Sequence, residues 1–228
     1  PTPLETAAPL ETAALPSATP EQPFAPPTSP PAINGEQHVQ PADLEYLGAF
    51  RLPEGGERPY TFAYGGGAMT FNPDGDSAGE ADGFPGSLFI SGHDRLPYGE
   101  LPDGSQVAEI SIPAPVKSKD PAALNRAAFV QDFQDVTRGF FTNLEEIPRL
   151  GMLYLNHPET GPKIHLAWGQ HLQEEKVPSH AWFDPDLSHP DTQGEWFIGD
   201  LSPNSVNGYI IEIPQAWADQ YAGGFPLG

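Results

Sequence analysis

The chain has 228 residues, with 31 Asp and Glu against 10 Lys and Arg, a formal net charge of −21 and no cysteine. Disulfides and thiolate chemistry are excluded, and so acidic a surface repels the phosphates of nucleic acids and of anionic membranes. No apolar run approaches the ~20 residues that a membrane-spanning helix needs.

Residues 1–42 are built mainly of Pro, Ala, Thr, Ser and Glu, with PLETAA occurring twice in tandem and no Lys or Arg before Arg51. Too little there can be buried to offset the ordering entropy, so a disordered stalk or linker is expected, extended by its prolines. A polyproline ligand for a partner domain is the other reading of that composition. The chain starts at Pro1 without Met, which suggests a mature form whose signal segment is already absent. A Pro- and Thr-rich stalk ahead of a globular domain resembles exported bacterial proteins, and an extracellular or cell-surface location is expected.

Residues 43–228 form the second predicted region, long enough for one domain with a real core. Short apolar runs bounded by Gly, Pro and Asp predict strands over Leu44–Phe50, Ala68–Phe71, Ser87–Gly92, Gln106–Ile112 and Ala127–Phe133. A second set is predicted over Met152–Leu155, Lys163–Gly169, His180–Phe183, Glu195–Gly199 and Gly208–Ile213. Alternation places Ile164, Leu166 and Trp168 on one face and Lys163, His165 and Ala167 on the other. Likewise Leu88 and Ile90 oppose Phe89, so several strands are apolar on both sides, as stacked sheets require. Two short helices are expected: one from the Asp120 cap and Pro121 to about Ala127, and one over Gln215–Tyr221 that pairs Trp217 with Tyr221.

One phrase occurs twice. GAMTFNPDGD, GSLFISGHD and QVAEISIP (Gly67 to Pro113) are answered by HAWFDPDLS, GEWFIGDLS and NGYIIEIP (His180 to Pro214). Such self-similarity predicts an all-β fold: a partial β-propeller of about three blades of antiparallel sheet, with long loops and two short helices. A β-sandwich is the alternative. The copies lie about 100 residues apart, further than one blade, so the region is expected to be an N-terminal fragment of a longer propeller whose missing C-terminal blades are its natural partners.

The phrase resembles the blade of the broad NHL, YncE and SMP-30-like propeller group. Glu212-Ile213-Pro214 followed by Trp217-Ala218-Asp219 resembles uncharacterised secreted bacterial propellers. The resemblance spans roughly Tyr46 to Gly224 and implies a fold rather than a reaction. The SMP-30-like enzymes are metal-dependent lactonases, but their ligand set has no counterpart at identified positions here.

For chemistry, the loop holding Asn72, Asp74, Asp76, Glu80 and Asp82 offers hard oxygen ligands of the kind Ca²⁺ takes. Asn72, Asp74 and Asp76 match EF-hand positions one, three and five, but Ser77 and Gly83 break the template. The loop is therefore either a solvated Pro-Asp-Gly turn or a calcium site. His93, Asp94, His165 and His180 stand at or near strand ends, where a His and carboxylate set could bind metal or exchange protons. His171 could share a face with His165. Glu145-Glu146 and Glu174-Glu175 read as solvated turns. Trp168, Trp182 and Trp196 read as packing, and Trp217 is open to other roles.

The functional expectation is an exported propeller module that binds carbohydrate or a protein partner. The alternative is a metal-dependent hydrolase or lactonase, or a sugar-oxidising enzyme, with its site in the axial funnel. A purely structural surface protein is the third reading.

Overall fold

The computed structural model describes residues 40–63, 65–77, 79, 83–93, 105–141, 144, 148–170, 172–206 and 208–228. The chain divides into two units, Pro1–Glu45 and Tyr46–Gly228. In the first, the described residues hold one 3₁₀ turn, Pro41–Asp43. The expected stalk otherwise lies outside the described residues.

The second unit is all-β. Strands β1 (Met69–Asn72), β2 (Gly83–Ser91), β3 (Gln106–Pro113) and β4 (Phe129–Asp135) form one antiparallel sheet in chain order. Strands β5 (Pro148–His157), β6 (Gly161–Gln170), β7 (His180–Phe183) and β8 (Gln193–Trp196) form another with the same order. Helices α1 (Pro203–Val206) and α2 (Gln215–Tyr221) follow. Among the described residues there are thus two four-stranded sheets where about three blades were expected.

Side-chain alternation decides how the sheets meet. On β6, Ile164, Leu166 and Trp168 are all buried and point into a core shared with Phe89 and Val107 of the first sheet and with Phe183 of β7. Phe89 meets Phe183 edge-on at 6.5 Å, and Phe141 meets Trp168 at 5.3 Å. Beside this apolar layer β1 abuts β5, where the Tyr154 N–H donates to Thr70 Oγ1 at 2.7 Å. The other face of the first sheet carries Leu88, Ile90 and Ile110, and Phe50, Leu52 and Phe62 cover it. The predicted opposition of Leu88 and Ile90 to Phe89 is what allows both coverings.

A carboxylate is buried within the first sheet. Glu109 is 2% exposed, and donors surround it: Asn72 Nδ2 and Ser87 Oγ bond Oε1, and Gln131 Nε2 bonds Oε2 at 2.6 Å. A buried acid without such partners would cost several kcal/mol. Gln131 carries the network onward, donating to the Pro185 carbonyl at 2.8 Å and accepting from the Leu187 N–H at 2.8 Å. It thereby ties the first sheet to the loop after β7.

Three sequence expectations need correction. Leu44–Phe50 is not a strand: it makes one isolated bridge, Ala49 to Val116, and Leu44, Tyr46 and Leu47 are exposed. Gly208–Ile213 likewise makes one bridge, Glu212 to Leu227. Both runs have strand-like composition, but neither finds a neighbouring strand to complete a ladder. The helix expected from Asp120 stops as a 3₁₀ turn, Pro121–Ala123. The Asp120 carboxylate does cap it, accepting from the Ala122 N–H at 2.9 Å. Extended pairing then takes the chain, since Arg51 N–H donates to Asn125 and Ala127 N–H donates to Arg51. Helix α2 forms as expected, with the Trp217 and Tyr221 rings 5.1 Å apart.

The two copies of the repeated phrase fall on non-equivalent elements. The first covers β1, β2 and β3, whereas the second covers β7, β8 and the bridge segment around Glu212. The phrase records a strand-turn-strand grammar that either position satisfies.

The C-terminal segment crosses the second sheet at Gly151 of β5, where an added Cβ would overlap the Gly208 carbonyl and press on Ile210. We expect Gly151→Ala to destabilise the fold by about 1–3 kcal/mol, as overpacking does. It should also speed proteolytic cleavage after residue 196 more than cleavage elsewhere. Denaturant midpoints and limited proteolysis with mass spectrometry check this; wild-type values in both would refute the crossing.

Candidate functional site

The register of the second sheet gathers ring side chains on its outer face, away from the shared core. His165 lies opposite Trp182, Ala167 opposite His180, and His180 opposite Trp196. Cross-strand partners share a face, so these five side chains form one strip. Within it His165 Nδ1 lies 3.1 Å from His180 Nε2, a hydrogen bond in which one ring donates and the other accepts. Trp182 packs edge-on against His165 at 5.5 Å and against Trp196 at 4.9 Å, and Trp196 meets His180 at 5.9 Å.

The electrostatics follow from burial. His165 is 5% exposed, and desolvation, helped by the neighbouring His180, lowers its pKa from 6.5 to about 4. Desolvation also lowers that of His180. Near neutral pH both imidazoles are uncharged, and the pair can share one proton donor between two nitrogens. Two protonated rings at this distance would repel in a weakly polar setting.

Beside the pair lies a cavity of about 270 Å³. Its walls are mainly apolar: Ala167 from β6, then Ile198, Leu201, Val206, Ile210 and Leu227 from the segment beyond β8. His180 and Tyr209 also line the wall. The covering segment is fastened to itself: Ile211 and Gly228 exchange backbone bonds at 2.8 and 3.1 Å, and Ile213 N–H donates to Pro226 at 2.8 Å. Leucine, valine and isoleucine roof the site because the outer face of β6 offers Ala167 there, a small residue that leaves room.

The remaining candidates lie elsewhere. His93 is buried at the end of β2 in the other sheet, its Nδ1 2.6 Å from the Ala63 carbonyl. It does not join the His165–His180 pair. Asn72 uses both ends of its amide, accepting from the Asp74 N–H at 3.1 Å and donating to Glu109. The Asp74 carboxylate accepts from Tyr154 Oη at 3.3 Å, which helps to raise the tyrosine pKa after burial. Asp76 accepts the Gly79 N–H through its carbonyl at 3.4 Å. Asp94, Glu80, Asp82 and His171 lie outside the described residues. Among the described residues no three His, Asp or Glu side chains converge as a metal-ligand set.

Of the tryptophans, Trp168 is core as expected. Trp182 and Trp196 belong instead to the outer strip, Trp196 being 38% exposed. Sequence reasoning found both histidines of the pair but not the cavity beside them, because its walls come from separated stretches beyond β8, of which only Ile198, Tyr209 and Ile210 lie in runs read as strands. Comparisons with family models, with curated proteins and with solved structures give no match.

A proton-linked consequence can be measured. The pKa of His165 is lowered on folding, so the unfolded chain binds a proton first as pH falls. The stability tied to neutral His165 is complete above about 6.5 and is lost as pH falls through about 4. In an NMR titration the His165 ring resonances should stay flat from pH 8 to 5.5. A His165 midpoint near 6.5 would refute the buried pair. His165→Asn should lose this component of acid sensitivity, seen as a smaller drop in Tm between pH 7 and 4.5 than in wild type.

Proposed function

We propose that the chain is a ligand-binding module built from propeller-type blades, and that it takes a small, largely apolar molecule in the cavity beside His180. The carrying observation is the chemistry of that cavity: mainly apolar walls, with a neutral, hydrogen-bonded histidine and a tyrosine among them. Such a site rewards a compact apolar body with one polar group to meet the imidazole. Neutral histidine within hydrogen-bond reach orients a ligand; it does not by itself supply a nucleophile.

The blade reading rests on topology. Each sheet is a four-stranded meander in chain order, and the two lie face to face with their first strands in contact. Successive propeller blades have this arrangement. Export to the cell surface is part of the same proposal, supported by the Pro- and Thr-rich composition of residues 1–42 and by the net charge of −21.

Benzyl alcohol and indole are suitable probes, since each joins an apolar ring to one hydrogen-bonding group. Both should bind saturably, moving the His180 ring resonances and raising Tm with concentration. Leu201→Trp, which fills the cavity from an exposed position, should abolish the shifts at unchanged fold. No saturable shift at His180 with either probe would overturn the proposal, as would full binding by Leu201→Trp.

A further inference from the structure

The core-facing side of the second sheet opens at its edge into another cavity, of about 420 Å³. Its lining is polar where the first is apolar: Arg138 and Phe140 from the loop after β4, Gln170 at the end of β6, Gln173 and Glu175 from the next loop, and Glu195 of β8. The volume lies within the range of small-molecule sites.

Gln170 sits at its floor. The side chain is 3% exposed, and among the described residues its Oε1 has no hydrogen-bond partner. Leaving such an acceptor unmet costs about 1–3 kcal/mol, so it marks a place for a donor. Trp168 shares its face of β6, and the backbone N–H of Trp168 donates to Ser179 at 3.0 Å. The Trp168 indole N–H and the Ser179 hydroxyl are also buried and lack partners among the described residues. Three unmet polar groups thus lie along one strand pair behind the cavity.

The side walls are organised as well. Arg138 has φ 52° and gives one guanidinium N–H to the Thr192 carbonyl at 2.9 Å, which fixes the head while leaving it further donors. Glu195 is exposed as a residue, and local desolvation of its carboxyl raises its pKa. Phe140 stands against the Trp168 ring at 6.4 Å, nearly parallel, and so presents a braced aromatic surface.

These groups discriminate between ligand classes. An anion would accept from Arg138 but could not donate to Gln170 Oε1, and two carboxylates would repel it. An ammonium ion would suit Gln170, Glu175 and Glu195 but would meet the Arg138 charge and give that guanidinium nothing to bond. A hydroxyl group donates and accepts, and several on one ring can answer Gln170, Glu195 and Arg138 together while an apolar ring face lies on Phe140. We infer that this cavity binds a neutral polyhydroxylated molecule of monosaccharide size. The site is distinct from the His180 cavity, which occupies the other face of the sheet.

The test is direct binding of D-glucose, D-galactose, D-mannose and myo-inositol to the full chain, followed at the Gln170 side-chain amide by NMR. At least one should bind saturably at millimolar concentration. Glu195→Gln, which keeps an acceptor but removes the charge, should weaken it about 3- to 10-fold. Gln170→Leu should remove it, with circular dichroism and Tm reporting the fold; if that variant does not fold, Glu195→Gln decides. Benzyl alcohol binding at His180 should be unchanged in Glu195→Gln, which separates this site from the other. The inference fails if none of the four binds saturably, if binding survives both substitutions at wild-type strength, or if ethanolammonium binds and no polyol does.

Discussion

Strand β6 is buried on both faces, and the rest of the second sheet is arranged to satisfy that. Ile164, Leu166 and Trp168 need an apolar layer on one side, which the first sheet supplies through Phe89 and Val107. His165 and Ala167 need cover on the other, supplied by Trp182 and by the segment from Ile198 to Leu227. At about 25 cal/mol per Å² of apolar surface, neither face could be left to water without losing much of a domain's net stability. Among its described residues the covering segment holds two short helices and no strand, and Gly151 lets its backbone approach the sheet at the Gly208 carbonyl.

Away from the polar cavity, two buried polar clusters enter this apolar scheme with partners arranged for them. Glu109 is the clearest case: it is buried in a protein of charge −21, yet Asn72, Ser87 and Gln131 replace its water. Asn72 therefore contributes to the fold through the same atoms that had suggested a calcium ligand. The His165–His180 pair is solved differently. Each ring is kept neutral, so the desolvation cost of charge is avoided rather than offset.

Much of this was legible in the sequence, and the limits have physical causes. Period-two alternation identified the two faces of Lys163–Gly169 and of Ser87–Gly92 correctly, since a strand with both faces buried leaves that signature locally. The cap at Asp120 was legible too, but not the length of the helix, because the competing extended pairing through Arg51 is a long-range contact. Leu44–Phe50 and Gly208–Ile213 have strand composition without strand partners, a difference that exists only in three dimensions. His165 and His180 were both singled out, while their adjacency depends on the β6–β7 register, which places them diagonally across two strands. Glu175 read as part of a solvated turn; the cavity it lines is assembled from three separated segments, and no local pattern announces that.

Alternation along one strand also accounts for two cavities of opposite character. Ala167 faces outward and Gln170 faces the core side, three residues apart on β6, so the two spaces lie on opposite sides of the same sheet. The strand at the sheet edge repeats the division: Trp196 joins the outer aromatic strip, and Glu195 beside it lines the polar cavity. A one-residue slip of β7 against β6 would turn His180 and Trp182 to the core side and Ala181 and Phe183 outward. The pairing of Ile164 with Phe183 guards against such a slip. The chemistry of both sites is therefore set by the same register that closes the core, and neither can change sign without the fold changing first.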